Sequence, residues 1–548
     1  MPFLIKIIEN KLFLKHSSYL IILFIVFLIV YYKATSLFFR QDEWLGFGLI
    51  IGYGKEFIYS KSITDLAHFV PVALSIDYLL FKFAHLNPLI FNLFGLAFHL
   101  INTFLIYLIA GNFSKNKILS AVAAMIFITS SVASQLVLWT VISINTLSLT
   151  FALLSFWLLL NFNEFKHRSL VGYLIAIGMV CSLLILEYSA GFIILIPTAV
   201  LIYRKKLGNE NLKKILIPLA IAIVSFLILR LVLLLQASVG SVQSSLSTGM
   251  MYRAVEFPIR YLGQIVIPEH ANLFLSNIIL GDPERSETFF FKIIAICTGF
   301  LSILFLGKLL SITKKLTEER DNLIVLIIFI LSSSLPFVII PGQSSDFTIF
   351  PGRYLYFGLA GYAILLSLVA KMLIQSKNNY LKVAVCLFIL ISCFYGVYDN
   401  LRQIRLFSEE DQVRLNILNT IKSSYPKLPE KTVFFIESDS AAYGLPYEVK
   451  ILPFQSGFGQ TLLVWYYGDQ YIPKGFYKDR FLWDIKSEGY KEIEGYGFGY
   501  FRDFEKVKKT VKDYQLPLDC VISFSWKKDS NLFLDTTKET RSRLERNR

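Results

Sequence analysis

Eleven separate apolar stretches, each long enough to cross a bilayer as a helix, leave this chain few folds outside a membrane. They fall at about 18–39, 88–110, 118–138, 141–161, 169–186, 189–203, 215–235, 289–309, 322–340, 354–374 and 380–397. A spanning segment without water must satisfy its own backbone, so each is expected to be an α-helix. Of 548 residues, 55% are apolar and only 17% charged, which no ordinary soluble domain matches. The formal charge of +14 does not point to nucleic acid, because the basic residues sit in short loops between apolar runs, where they set orientation. Cys181, Cys297, Cys386 and Cys393 lie inside apolar runs and Cys520 stands alone, so no metal motif or disulfide framework is visible.

Orientation follows from the loop charges. With a cytoplasmic N-terminus, alternation places Lys115 and Lys117, Lys166 and Arg168, Arg204 with Lys205, Lys206, Lys213 and Lys214, Lys314 and Lys315, and Lys377 and Lys382 on one side. Every such loop is basic, as a cytoplasmic face requires. Lys6, Lys11 and Lys15 precede the first run, which reads as a retained anchor rather than a cleaved signal peptide. The expected organisation is a multi-pass plasma-membrane domain, 1–400, with a first outer loop at 40–87, followed by a small extracytoplasmic α/β domain, 401–548. In the latter, 432–436 and 521–526 read as strands, 504–514 as a helix and 527–530 as a turn between strands. The stretch 42–86 is amphipathic and fits helices lying in the membrane interface, with Pro71 opening one of them and Trp44 as an interfacial residue.

Few residues carry chemistry on the expected outer face. Asp42 and Glu43 follow the first span at the lip of the bilayer, where an ionised carboxylate can take a proton from an incoming hydroxyl. His68 lies on the same segment, placed to donate to a phosphate or help hold a metal. Glu187 ends an apolar run at the same rim and is a supporting acidic residue or metal ligand. Arg353, followed by Tyr354, opens the tenth span on the side where positive charge is depleted, and its guanidinium fork matches two phosphate oxygens. Arg260 and His270 in the long outer loop are further candidates. A divalent cation is the one cofactor considered, and its need is left open.

In this order the chain resembles the GT-C superfamily of membrane glycosyltransferases that use lipid-phosphate sugars, which includes protein O-mannosyltransferases, aminoarabinose transferases and bacterial relatives of mannosyltransferases with tetratricopeptide tails. Asp42-Glu43 is similar to the family's acidic pair in the first outer loop. The stretch from His68-Phe-Val-Pro71 to Asn87-Pro88 is similar to its His-Phe-Arg-Pro-Leu segment and following Asn-Pro, and His99 and Asn102 fall where the next span often has these residues. Leu186-Glu187 is similar to its Lys-Glu turn, and Arg353-Tyr-Leu-Tyr356 to its Arg-Tyr-Leu-Tyr element. The chain departs from the pattern at Val70, at Leu186 and at Ser143, Ile144, Asn145 and Thr146.

The resemblance implies a GT-C-like polytopic α-helical fold and inverting transfer of a hexose or pentose from a polyprenyl-phosphate donor to a hydroxyl of a protein, glycan or lipid acceptor. Asp42 would be the general base, Glu43 or Glu187 its support, and Arg353, Tyr354 and His68 the donor-phosphate ligands. A transporter or flippase for a lipid-linked saccharide, and a non-catalytic membrane scaffold, stand as alternatives.

Overall fold

The computed structural model describes residues 12–40, 42–59, 69–140, 142–236, 249–280, 289–313, 317–339, 350–375, 379–443 and 445–546. Among them, nine helices are long and apolar enough to cross a membrane. The pair Lys117–Thr129 and Ser131–Leu138, bent by 45°, makes a tenth. At the bend the Ser130 hydroxyl accepts the Val132 amide at 3.3 Å, so the break satisfies part of its own backbone. The eleventh expected run is a shorter apolar helix, Glu187–Ile202. Every expected span is thus helical, and the molecule is a polytopic α-helical membrane protein with a small C-terminal α/β domain.

Packing divides the chain into two units. One comprises Met1–Thr35, Lys61–Leu74 and Asn92–Ile404; the other comprises Ser36–Ser60, Ser75–Phe91 and Arg405–Arg548. The sequence reading keeps 40–87 with the spans, whereas packing groups most of that segment with the C-terminal residues.

In the membrane unit, helices approach where side chains are smallest. Gly263 in Gly249–Val266 and Gly299 in Phe289–Ile312 face each other's backbone, so that a Cβ on either would run into the carbonyl of Ala295 or Ile259. Such contacts substitute for a hydrophobic drive that lipid does not supply. Buried polar side chains tie other helices together. His99 Nδ1 lies 2.8 Å from the Tyr356 hydroxyl, Asn102 donates to the Thr146 carbonyl at 2.8 Å, and Thr150 donates to Asn102 at 2.7 Å. Asn400 donates to the carbonyls of Thr129 and Gly396 at 2.9 and 2.8 Å.

The second unit is built on a five-stranded sheet of β1 (Lys431–Ser438), β2 (Gly489–Ile493), β3 (Tyr496–Phe501), β4 (Val521–Lys527) and β5 (Leu532–Asp535), in the order β2-β3-β1-β4-β5. β1 is parallel to β3 and β4, and the edge strands are antiparallel to their neighbours. Because β1 is apolar on both faces, it must be covered twice. Val433 and Phe435 pack with Val507, Val511 and Leu544, on the helices Phe504–Asp513 and Thr537–Glu545. Phe434 turns the other way, towards Phe498 and Tyr466 of Phe458–Tyr467, with ring centroids 5.8 and 6.2 Å away.

The helix Asp42–Tyr53 joins this unit through its glycines: a Cβ at Gly52 would come within 2.6 Å of Tyr477. Trp44 is not an interfacial residue as expected. It is fully enclosed, with Phe39, Phe38 and Trp465 at centroid distances of 5.7, 5.9 and 6.2 Å. An indole buries more apolar area in such an aromatic box than at an interface.

Candidate active site

The acidic pair starts a helix, and the helix separates its two members. Asp42 and Glu43 occupy the first turn of Asp42–Tyr53, where the axial dipole favours negative charge. Successive helical residues point about 100° apart, and here one direction is exposed and the other faces the protein interior. Asp42 is exposed and Glu43 fully buried. Glu43 Oε2 accepts the Arg40 amide at 3.3 Å, so its carboxylate fixes the chain's entry into the helix. Of the pair, Asp42 is the member whose side chain is exposed.

Arg40, two residues before the acidic pair, is a structural centre of the same unit. Its Nε and Nη2 donate to Asp411 at 3.1 and 3.2 Å, and its guanidinium lies 3.8 Å above the Phe407 ring. Asp411 also accepts the Phe38 amide at 2.9 Å and Arg414 Nη1 at 3.0 Å. Burial pushes the Arg40 pKa below its ordinary value, while Asp411 pulls it back up. A partner 371 residues away in sequence leaves no local signal.

In the membrane unit, Arg353 opens the helix Gly352–Ile374 behind Pro351. Gly352 is needed there because a Cβ would sit 2.6 Å from the Val132 carbonyl. The Arg353 amide donates to Gln135 Oε1 at 3.3 Å, and Nη2 donates to the Tyr354 hydroxyl at 3.1 Å. The guanidinium lies 4.8 Å from the Tyr354 ring and 5.5 Å from the Trp139 ring. Tyr354 in turn meets Tyr188 edge-on at 4.9 Å, and the two side chains are hydrogen-bonded. Glu187 and Arg353 both act electrostatically on Tyr188. Glu187 begins the turn Glu187–Ala190, with both carboxylate oxygens shut away from solvent. The structure therefore gathers Glu187, Arg353 and Tyr354, three sequence candidates, around a frame of Tyr188, Trp139 and Gln135 that the sequence did not single out.

That arrangement sets a guanidinium at a helix start near a buried carboxylate. A cation in the first turn of a helix opposes the dipole, at about 0.3–1 kcal/mol, unless something negative is bound between them. A guanidinium beside helix-terminal amides offers both elements of an oxyanion site.

The other candidates have different surroundings. Arg260 is buried between the rings of Phe257 and Phe350, at 4.9 and 4.7 Å, and pairs with Glu256 at 3.4 Å, which also meets Lys292 at 2.9 Å. His270 Nδ1 lies 2.9 Å from Asp399, and Nε2 lies 3.2 Å from Gln403. The contact with Asp399 raises the His270 pKa above its ordinary value against the opposing effect of burial. His68 falls outside the described residues. Among the described residues no three His, Cys, Asp or Glu side chains group together to hold a metal ion.

No known family model and no curated protein matches the sequence. Among solved structures, the fold is similar to ArnT from Cupriavidus metallidurans bound to undecaprenyl phosphate, at 12% identity and a TM-score of 0.44, covering 94% of each chain. It is also similar to the archaeal oligosaccharyltransferase AglB from Archaeoglobus fulgidus, in complex with an inhibitory peptide and a dolichol phosphate, at 12% identity and a TM-score of 0.39, covering 83% of this chain and 64% of that one. ArnT is an aminoarabinose transferase, and both are GT-C glycosyltransferases.

Proposed function

We propose that this protein is an integral membrane glycosyltransferase that moves a sugar from a polyprenyl-phosphate donor to an acceptor hydroxyl on the extracytoplasmic face. The observation that carries the reading is Arg353, held in the first turn of a membrane span by Tyr354 and Trp139, where the helix itself repels a cation. Its fork binds the donor phosphate, and Tyr354 keeps the fork in plane. Asp42 is the general base. The acceptor oxygen attacks the anomeric carbon as the bond from that carbon to the phosphate oxygen breaks. The acceptor proton passes to Asp42, polyprenyl phosphate leaves, and the configuration inverts. Glu43 supports Asp42 by anchoring the helix start, and Glu187 is the second supporting carboxylate or a ligand for a divalent ion. The N-terminus is cytoplasmic and the C-terminal domain extracytoplasmic, as the basic loops require.

The test is transfer measured in membranes with a panel of polyprenyl-phosphate hexoses and pentoses, offered with protein, glycan and lipid acceptors. Asp42→Asn is expected to lower the rate by about 10²–10⁴, the usual worth of a positioned base, with expression and thermal stability retained. Full activity in that variant removes Asp42 from the mechanism. Running the assay with and without EDTA reports on a divalent cation.

A further inference from the structure

The sheet of the C-terminal unit has a feature that its role as a scaffold does not require. From β1 the chain crosses one face, through Phe458–Tyr467, to reach β3. From β3 it crosses the opposite face, through Phe504–Asp513, to reach β4 on the far side of β1. The chain thus leaves the carboxyl end of β1 towards β2 and β3, and leaves that of β4 the other way, through the turn to β5. In open α/β sheets the crevice between two such exits is where ligands bind.

A cavity of about 450 Å³ opens at that point, within the range of small-molecule sites. Ser440, Ala442 and Tyr443 from the loop after β1 line one side; Trp526, Lys528 and Asn531 from the end of β4 and the turn after it line the other. The loops are joined below the opening, where the Asp439 amide donates to the Trp526 carbonyl at 3.3 Å and the Lys528 amide to Asp439 at 3.0 Å. Tyr443 holds a left-handed backbone, φ 56°, that a tyrosine seldom adopts, and its hydroxyl is pinned to the Pro453 carbonyl at 2.9 Å. Strain kept in place at the mouth of a cavity is characteristic of a functional site.

The charge around the cavity decides the ligand class. Arg414 is committed to Asp411 at 3.0 Å, Glu410 at 3.2 Å and the Pro453 carbonyl at 2.8 Å. Of the lining charges, Arg414 is paired with Glu410 and with Asp411 behind it, which leaves Lys528 as a single point charge and gives an anion little to bind. What remains is an aromatic floor with amide, hydroxyl, carboxylate and ammonium groups around it. That combination suits the apolar face and hydroxyl edge of a sugar ring.

We infer that the C-terminal domain binds a neutral saccharide in the crevice between β1 and β4. The inference rests on the proposed glycosyl transfer only in naming that saccharide as part of the acceptor. The test is calorimetric titration of the full-length protein in detergent with maltotriose, mannotriose and chitotriose, and separately with inorganic phosphate and a Ser/Thr-rich peptide. Saturable binding of at least one trisaccharide is expected, weakened at least tenfold by Ala442→Trp, which fills the cavity, and several-fold by Asn531→Gly, which removes the amide and keeps the left-handed turn at φ 50°, with unchanged melting temperatures. Binding of phosphate or peptide alone, binding of none of the probes, or trisaccharide binding that Asn531→Gly and Ala442→Trp both leave intact overturns the inference. Trisaccharide binding without any sugar transfer retains this site and removes the enzyme reading; transfer without trisaccharide binding does the reverse.

Discussion

Removing the Asp411 carboxylate isolates a buried cation. In the folded protein that carboxylate accepts both Arg40 nitrogens, Arg414 and the Phe38 amide, all between 2.9 and 3.2 Å. The side chains of Arg40 and Asp411 are only 8% and 4% exposed, so water cannot replace the lost partner. Arg414 keeps Glu410 and the Pro453 carbonyl, but Arg40 keeps only the Phe407 ring and the more distant charge of Glu43. Breaking a buried pair from one side costs about 3–5 kcal/mol. For a unit of this size 1 kcal/mol moves the midpoint by roughly 2–4 °C, so Asp411→Ala should lower it by roughly 6–20 °C. Differential scanning fluorimetry of the detergent-solubilised protein reads this directly. Asp411→Asn, which still accepts one bond, should fall between. The double variant Arg40→Met with Asp411→Leu should recover most of the loss, because an apolar pair of similar volume leaves no charge uncompensated. A shift under about 2 °C for Asp411→Ala, or no recovery in the double variant, refutes the assignment of this network as a stabilising centre.

Three further outcomes follow from the geometry. Arg353→Ala should reduce transfer by about 10²–10³, the worth of one oxyanion donor group, and Arg353→Lys should recover only part of it because an ammonium lacks the fork; an unchanged donor KM in both variants would remove the phosphate role. Gly263→Leu should block the approach of Gly249–Val266 to Phe289–Ile312 and cost upwards of about 4 kcal/mol, seen as loss of monodisperse protein on gel filtration, whereas the same change at Gly46, which has open space around it, should be tolerated. The His270 pKa is raised by Asp399, so the stabilisation from that pair is complete below the unfolded value of about 6.5 and is lost as pH rises through the higher folded value. The midpoint should therefore decline over that interval in the wild type and stay flat in His270→Gln, and equal slopes in both would dismiss the pair as a contributor.

What the sequence reveals and what it conceals separate along the range of the interaction. Span length and apolar content are local, so all eleven apolar runs could be read as helices, ten of them long enough to span if the bent pair counts as one, as could β1, β4 and the helix Phe504–Asp513, whose start is fixed by Asp503 accepting the Glu505 amide at 2.9 Å. The fate of Asp42 and Glu43 could not, because apolar residues follow both and only the packed helix shows which side meets solvent. The same holds for Trp44: its aromatic neighbour Trp465 arrives from more than 400 residues away, and a tryptophan beside a span satisfies the rule for interfaces equally well. Arg353 is the instructive intermediate. Its position, just before a span on the side poor in positive charge, was visible in the sequence, and it suggested an anion ligand without showing what would hold the guanidinium. The structure supplies Trp139 and Tyr354 as the walls and Gln135 as the anchor of its backbone, none of which is needed merely to punctuate a helix. A residue that only marks the end of a span can turn towards water. Arg353 instead lies beside the Trp139 and Tyr354 rings in the first turn of its helix, where the dipole disfavours a cation, and the phosphate role proposed for it rests on that placement.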